Sequence, residues 1–195
     1  MIKKILVVSL IFFSISTKLF SIEPDVFVQS TVNRASKLLS ENISKEEKIK
    51  QLKLIAKDTV DIKGIGLYTL GPTRKIITNE QKLEYSKLFE QYFLKSFSSR
   101  LAEYTNPEIN VYQKDKLNDN YTIVNSILKA TSERPEIQID WRIYTKNPDR
   151  PLIRDLIIEG LSLARTQKEE FSSVLSSNEN NINALFKVLK EFSNN

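Results

Sequence analysis

The period of the hydrophobic residues changes twice along the 195-residue chain, and this limits the folds open to it. Apolar residues recur every three or four positions up to about residue 104, alternate with polar ones from 109 to 159, and return to helical spacing from about residue 162. Helices, then consecutive strands, then helices are typical of an α+β domain. We predict N-terminal helices, a curved four-stranded antiparallel sheet covered by helices on one face, and C-terminal helices.

A long helix is predicted from Asn79 to about Tyr104, because Thr78 and Gln81 match a capping box at its start. Its apolar stripe has eight residues spaced three or four apart, six of them aromatic: Tyr85, Leu88, Phe89, Tyr92, Phe93, Phe97, Leu101 and Tyr104. Such a stripe is usually ordinary core, but it can also line a cavity, and composition does not separate the two. Ser44 and Glu47 predict a second capping box before an earlier helix.

Four strands are predicted in the second half of the chain. The first begins at Ile109, and the other three cover residues 121–131, 137–144 and 152–159. The third strand alternates most cleanly between apolar and polar residues, as a half-buried strand does. Apolar residues occur on both faces of 121–131 and 152–159, so their inner faces stay open at this point.

The N-terminus has the pattern of a signal peptide. Two lysines precede an apolar run at residues 5–15, which is too short for a bilayer that needs about 20 residues. We therefore predict a signal peptide at residues 1–21 and a single domain at residues 22–195. A retained anchor is the alternative, because Leu19 is larger than the residue usual at that place.

Charge and composition exclude several classes of function. Removing residues 1–21 takes away three lysines and lowers the net charge from +5 to about +2, and no basic stripe for nucleic acid remains. The chain has no histidine and no cysteine, so we expect no metal site, no cofactor and no Ser–His or Cys–His nucleophile.

Two motifs could suggest nucleotide binding or catalysis, but neither is complete. Gly64-Ile65-Gly66 would need a third glycine where Thr69 stands. Asp155 and Glu159 would face the same side of a strand about 13 Å apart, too far for paired acid–base work. We expect Asp155 to fix Arg154 or a turn, Glu159 to cap the next helix, and the protein not to be an enzyme.

Two stretches carry the motifs of a known family. The first is the apolar segment 60–71 ending in Leu-Gly, followed by Thr78 to Gln81 and the aromatic helix from Phe89 to Tyr104. The second is an Asp-x-x-x-Glu-Gly-x-Ser junction, complete in residues 155–162, and Phe171 and residues 185–189 continue the pattern. The chain resembles the MlaC family of periplasmic phospholipid-binding proteins, also called toluene-tolerance proteins. It departs from that family at Pro72-Thr73-Arg74 and at Pro151, where the family often has tryptophan.

The resemblance implies a cone-shaped, nuclear-transport-factor-like fold with an apolar cavity. It also implies a soluble periplasmic shuttle that carries phospholipid, with two acyl chains, to maintain outer-membrane asymmetry. The implied partners are an outer-membrane lipoprotein/porin complex and an inner-membrane ABC transporter with an MCE-type substrate-binding subunit.

A carrier of this kind has to hide hydrocarbon. Two long tails expose about 30 methylene groups, a gross cost in water of roughly 24 kcal/mol. The pocket should lie near the upper end of the usual range of about 300–1,000 Å³. We predict that the tails lie between the long helix and the sheet, in contact with Leu67, Leu70, Phe89, Phe93, Phe97, Leu101, Val124, Leu128, Ile139, Trp141 and Ile157.

Three other functions remain open from the sequence. An enzyme could use the same cavity, but it would need converging polar groups. A protein-interaction adaptor would have a filled core. A carrier of another apolar ligand, such as a hopanoid, would use the same kind of pocket.

Overall fold

The computed structural model describes residues 21–132 and 134–194, so the predicted signal peptide lies outside it except for Ser21. The described helices are α1 (Pro24–Ser40), α2 (Lys45–Thr59), α3 (Ile62–Thr69), α4 (Asn79–Leu101), α5 (Leu163–Ser176) and α6 (Ile182–Asn194). A 3₁₀ turn at Gly71–Lys75 joins α3 to α4. The predicted α+β class and the order of the elements are confirmed.

One antiparallel sheet contains β1 (Ile109–Asn118), β2 (Tyr121–Leu128), β3 (Ile137–Tyr144), β4 (Leu152–Ile158) and β5 (Leu161–Ser162), in that spatial order. It has five strands and not the predicted four, because the chain after β4 turns back and pairs for two residues. The second strand ends three residues before the predicted 131, and α4 ends at Leu101 and not near Tyr104.

The turn between β4 and β5 explains the Glu-Gly pair of the sequence motif. Ile158 pairs with Leu161, and the two residues between them, Glu159 and Gly160, have φ of +49° and +80°. Positive φ at both positions is the mark of a two-residue type I′ hairpin, and glycine favours it. Glu159 does not cap α5 as predicted; its carboxylate accepts a hydrogen bond from the backbone N–H of Gln138.

Asp155 anchors the start of α5. Its side chain is almost fully buried and accepts hydrogen bonds from the Ser162 hydroxyl at 2.6 Å and the Ala164 N–H at 3.0 Å. Arg142 lies 3.7 Å from the same carboxylate. Of the two predicted roles of Asp155, fixing a turn is confirmed by its bonds to Ser162 and Ala164, and fixing Arg154 is wrong, because Arg154 pairs with Asp61.

The two predicted capping boxes have different outcomes. Thr78 accepts from the Gln81 N–H at 3.2 Å, and the Gln81 side chain accepts from the Thr78 N–H at 2.9 Å, so this box is complete. Ser44 accepts from the Glu47 N–H, but the Glu47 carboxylate bonds to Gln51 and not back to Ser44. The second box is therefore only half formed.

The described residues offer neither a membrane-spanning helix nor a cluster of metal-ligating side chains. None of their helices is long and apolar enough to cross a membrane. Their acidic side chains form no group of three that could hold a metal ion.

Burial of Tyr85 is expected to make the fold less stable at alkaline pH. Its side chain is 1% exposed, and burial raises the pKa of the hydroxyl, which lies 2.8 Å from the Thr69 hydroxyl. The unfolded chain ionises tyrosine near pH 10, so the stabilisation is complete below that pH and is lost above it, at about 1.4 kcal/mol per pH unit. When pH is raised from about 8 to 11, the free energy of unfolding, measured by urea denaturation, is expected to fall less for Tyr85→Phe than for the wild type. Tyr112→Phe, an exposed control, should follow the wild type.

Candidate functional site: the apolar interior between α4 and the sheet

The aromatic row of α4 changes from buried to half-buried along the helix. Tyr85 and Phe89 are 1% and 2% exposed, and Phe89 meets Phe171 of α5 edge-on at 6.2 Å between ring centres. Phe93 and Phe97 are only half-buried and stack on each other at 5.6 Å. Tyr104, just past the helix, is half-buried too. The interior is therefore tightly closed at the α5 end and looser at the C-terminal end of α4.

The inner face of the sheet is mostly apolar, and the polar side-chain atoms of Trp141 and Ser126 on it are hydrogen-bonded. Val124 pairs with Trp141, and Ser126 pairs with Ile139, across β2 and β3. The indole N–H of Trp141 donates to the Ser126 hydroxyl at 2.8 Å, which donates to the Ile139 carbonyl at 2.9 Å. Because these groups satisfy one another, the face that meets α4 offers hydrocarbon and few free polar atoms.

Most of the predicted tail-binding residues lie in one apolar cluster. It contains, among others, Leu70, Phe89, Phe93, Phe97, Val124, Leu128, Ile139 and Trp141. The structure thus brings together the helix and strand positions that the sequence pattern selected, although contact with a ligand stays a prediction.

Three predicted residues lie elsewhere. Leu101 packs in a second cluster with residues of α1 and α2, because the last turn of α4 leans on those helices. Leu67 is half-buried and belongs to neither of the two clusters that the structure describes. Ile157 pairs with Asp140 on the outer face of the sheet.

The displacement of Ile157 has a specific cause. The register between β3 and β4 shifts, so that Ile153 faces Ile143 but Asp155 faces Arg142, and Arg154 is left as an extra residue. Such a bulge turns the following residues to the opposite face of the sheet. Leu156 therefore takes the inner position that simple alternation assigned to Ile157.

Leu70, a predicted tail-binding residue, lies near α5. It is 2% exposed and borders a cavity of about 130 Å³ where the end of α3 meets α5, together with Gly71, Lys168 and Leu175. This is the closed end of the interior.

Several interior residues were missed by the sequence pattern. Val28 and Val32 of α1 are buried in the main cluster, and Ile109 and Ile137 pack at its looser end. The first pair could have been found from the helical spacing, since the two residues lie four apart on one face.

Small cavities lie beside the helices of the described residues. A groove of about 260 Å³ lies between α4 and α6, beside Glu84 and Lys190, and a cavity of about 130 Å³ lies at α3 and α5. Neither lies between α4 and the sheet, and neither reaches the about 300–1,000 Å³ typical of ligand pockets. Between α4 and the sheet, Phe89, Val124 and Trp141 are at most 8% exposed and pack in one cluster.

Comparison with known proteins settles the family. A family model described as MlaC protein matches residues 29–191. The chain belongs to the MlaC family. The similar solved structures include a phospholipid-binding protein from Ralstonia solanacearum in complex with a phospholipid, which is 18% identical and superimposes with a TM-score of 0.74 over 88% of this chain and 97% of that one. At this identity the likeness shows a shared fold. A search of curated proteins found no match.

Proposed function

We propose that this protein is a periplasmic phospholipid carrier, secreted through a signal peptide at residues 1–21. Membership of the MlaC family supports this, and so does the fold shared with a protein solved in complex with a phospholipid. The observation that carries the proposal is the half-buried aromatic row of Phe93 and Phe97, which faces an apolar sheet at the loose end of the interior. Such a surface suits acyl chains and offers nothing for acid–base chemistry.

Because Phe89, Val124 and Trp141 are closely packed in one cluster, tails that reach this part of the interior have to separate α4 from the sheet as they enter. The close backbone neighbours of α4 are α2, α3 and α6. Those helices can therefore hold α4 while it moves away from the strands. Burying about 30 methylene groups supplies roughly 24 kcal/mol gross. This gain offsets the cost of separating the packed side chains.

We further propose that the carrier exchanges lipid with an outer-membrane lipoprotein/porin complex and with an inner-membrane ABC transporter that has an MCE-type subunit. This proposal rests on the family. A carrier needs no reaction of its own, so the protein would act as a binding protein and not as an enzyme.

A second candidate is a periplasmic adaptor, and the close packing of Phe89, Val124 and Trp141 in one cluster favours it. An adaptor needs a stable surface and no ligand space. Lipid extraction and mass spectrometry of protein purified from the periplasm separate the two. We expect about one phospholipid per protein; protein free of lipid would contradict the carrier, and a hopanoid or other apolar molecule would change the ligand.

A further inference from the structure

Arg134 lies in the loop between β2 and β3, at the loose end of the interior. The Thr131 N–H donates to the Arg134 carbonyl at 2.8 Å, which closes this loop. The guanidinium carbon of Arg134 lies 4.9 Å from the centre of the Tyr104 ring, just past the end of α4. A planar guanidinium stacks well on such a ring, so the cation is held where α4 ends and β3 begins.

The charge of Arg134 has no counterion in the part of the chain that the structure describes. Its Nε atom is buried without a hydrogen-bond partner there. Two acids at this end of the sheet are engaged elsewhere: Glu108 pairs with Lys129, and Glu159 accepts from the Gln138 N–H. A buried donor of a charged group is costly when it is unpaired, and an anion that binds beside it removes that cost.

We propose that Arg134 binds the phosphate of the phospholipid, an inference that rests on the proposed function. A guanidinium donates paired N–H bonds to phosphate oxygens, and every phospholipid carries that phosphate. The contact would hold the headgroup without choosing among headgroup alcohols. It also sets the direction of the tails, which then run from Tyr104 past Phe97 and Phe93 toward Phe89.

The test compares two soluble lipids with identical tails, dioctanoyl-phosphatidylglycerol and dioctanoylglycerol, which lacks the phosphate. Trp141, the single tryptophan of the chain, is 8% exposed in the interior and reports binding by its fluorescence. Arg134→Gln is expected to weaken phosphatidylglycerol binding about ten-fold or more and to leave dioctanoylglycerol binding at the wild-type level. Arg150→Gln, the same change at an exposed turn, should bind both lipids as the wild type does.

Three results would count against the assignment in different ways. Unchanged phosphatidylglycerol binding by Arg134→Gln would overturn the phosphate contact and leave the carrier function standing. Inorganic phosphate that binds the wild type more tightly than the phospholipid, measured by isothermal titration, would make this a free-phosphate site. Failure of the wild type to bind either lipid would contradict the proposed function itself.

Discussion

Phe93→Asp is expected to reduce the phospholipid that co-purifies with the protein at least about ten-fold, because a carboxylate would then lie where the tails are buried. Phe93 sits between Phe89 and Phe97, with ring centres 6.1 Å and 5.6 Å away. Its half-buried position lets an aspartate side chain reach water, so we expect the fold to survive. Lipid mass spectrometry measures the loss, and circular dichroism with thermal melting checks the fold.

The matched control is Leu83→Asp on the same helix. Leu83 is 60% exposed, so this variant introduces the same charge outside the interior and should keep wild-type lipid content. Wild-type lipid content in a folded Phe93→Asp variant would show that the tails lie elsewhere.

Asp155→Ala is expected to lower the free energy of unfolding by about 3 kcal/mol. The substitution leaves the Ser162 hydroxyl and the Ala164 N–H without their acceptor at the start of α5, and hydrogen bonds to a charged group contribute about 1.5–3 kcal/mol each. It also removes the carboxylate that lies 3.7 Å from Arg142. Urea denaturation measures the change.

Asp149→Ala is the control for charge, because Asp149 lies in an exposed turn between β3 and β4. It should change stability by less than about 0.5 kcal/mol. Ser162→Ala should fall between the two, since Asp155 would keep the Ala164 bond. A loss below about 1 kcal/mol for Asp155→Ala would mean that this junction does not hold α5 in place.

Local patterns in the sequence were sufficient for the elements that depend on short-range chemistry. The Thr78–Gln81 box formed as predicted, with both hydrogen bonds between residues three apart. The Ser44–Glu47 box has the same spacing but formed only one of its two bonds, because the Glu47 carboxylate accepts from Gln51. The period of two in residues 137–144 gave the inner face of β3 correctly, since no irregularity interrupts its pairing with β2.

The predictions that failed depended on long-range structure. The face of Ile157 was wrong because a bulge at Arg154 is set by pairing with β3 and leaves no mark in local hydropathy. Leu101 shares the apolar stripe of α4 but packs on α1 and α2, whose position the stripe does not encode. The close packing of Phe89 against Val124 and Trp141 was equally out of reach, because the same aromatic spacing serves a core and a cavity.

Separation of α4 from the sheet on lipid binding is the central claim, and a distance measurement tests it directly. The sequence has no cysteine, so a double variant with Gln91→Cys and Gln138→Cys takes spin labels at these two positions only. Gln91 lies on the exposed face of α4, and Gln138 lies on the outer face of β3. Pulsed electron paramagnetic resonance on lipid-free and phospholipid-loaded protein should show the distance growing by about 4 Å, the thickness of one hydrocarbon layer at van der Waals contact. An unchanged distance in protein that holds one phospholipid would contradict the account.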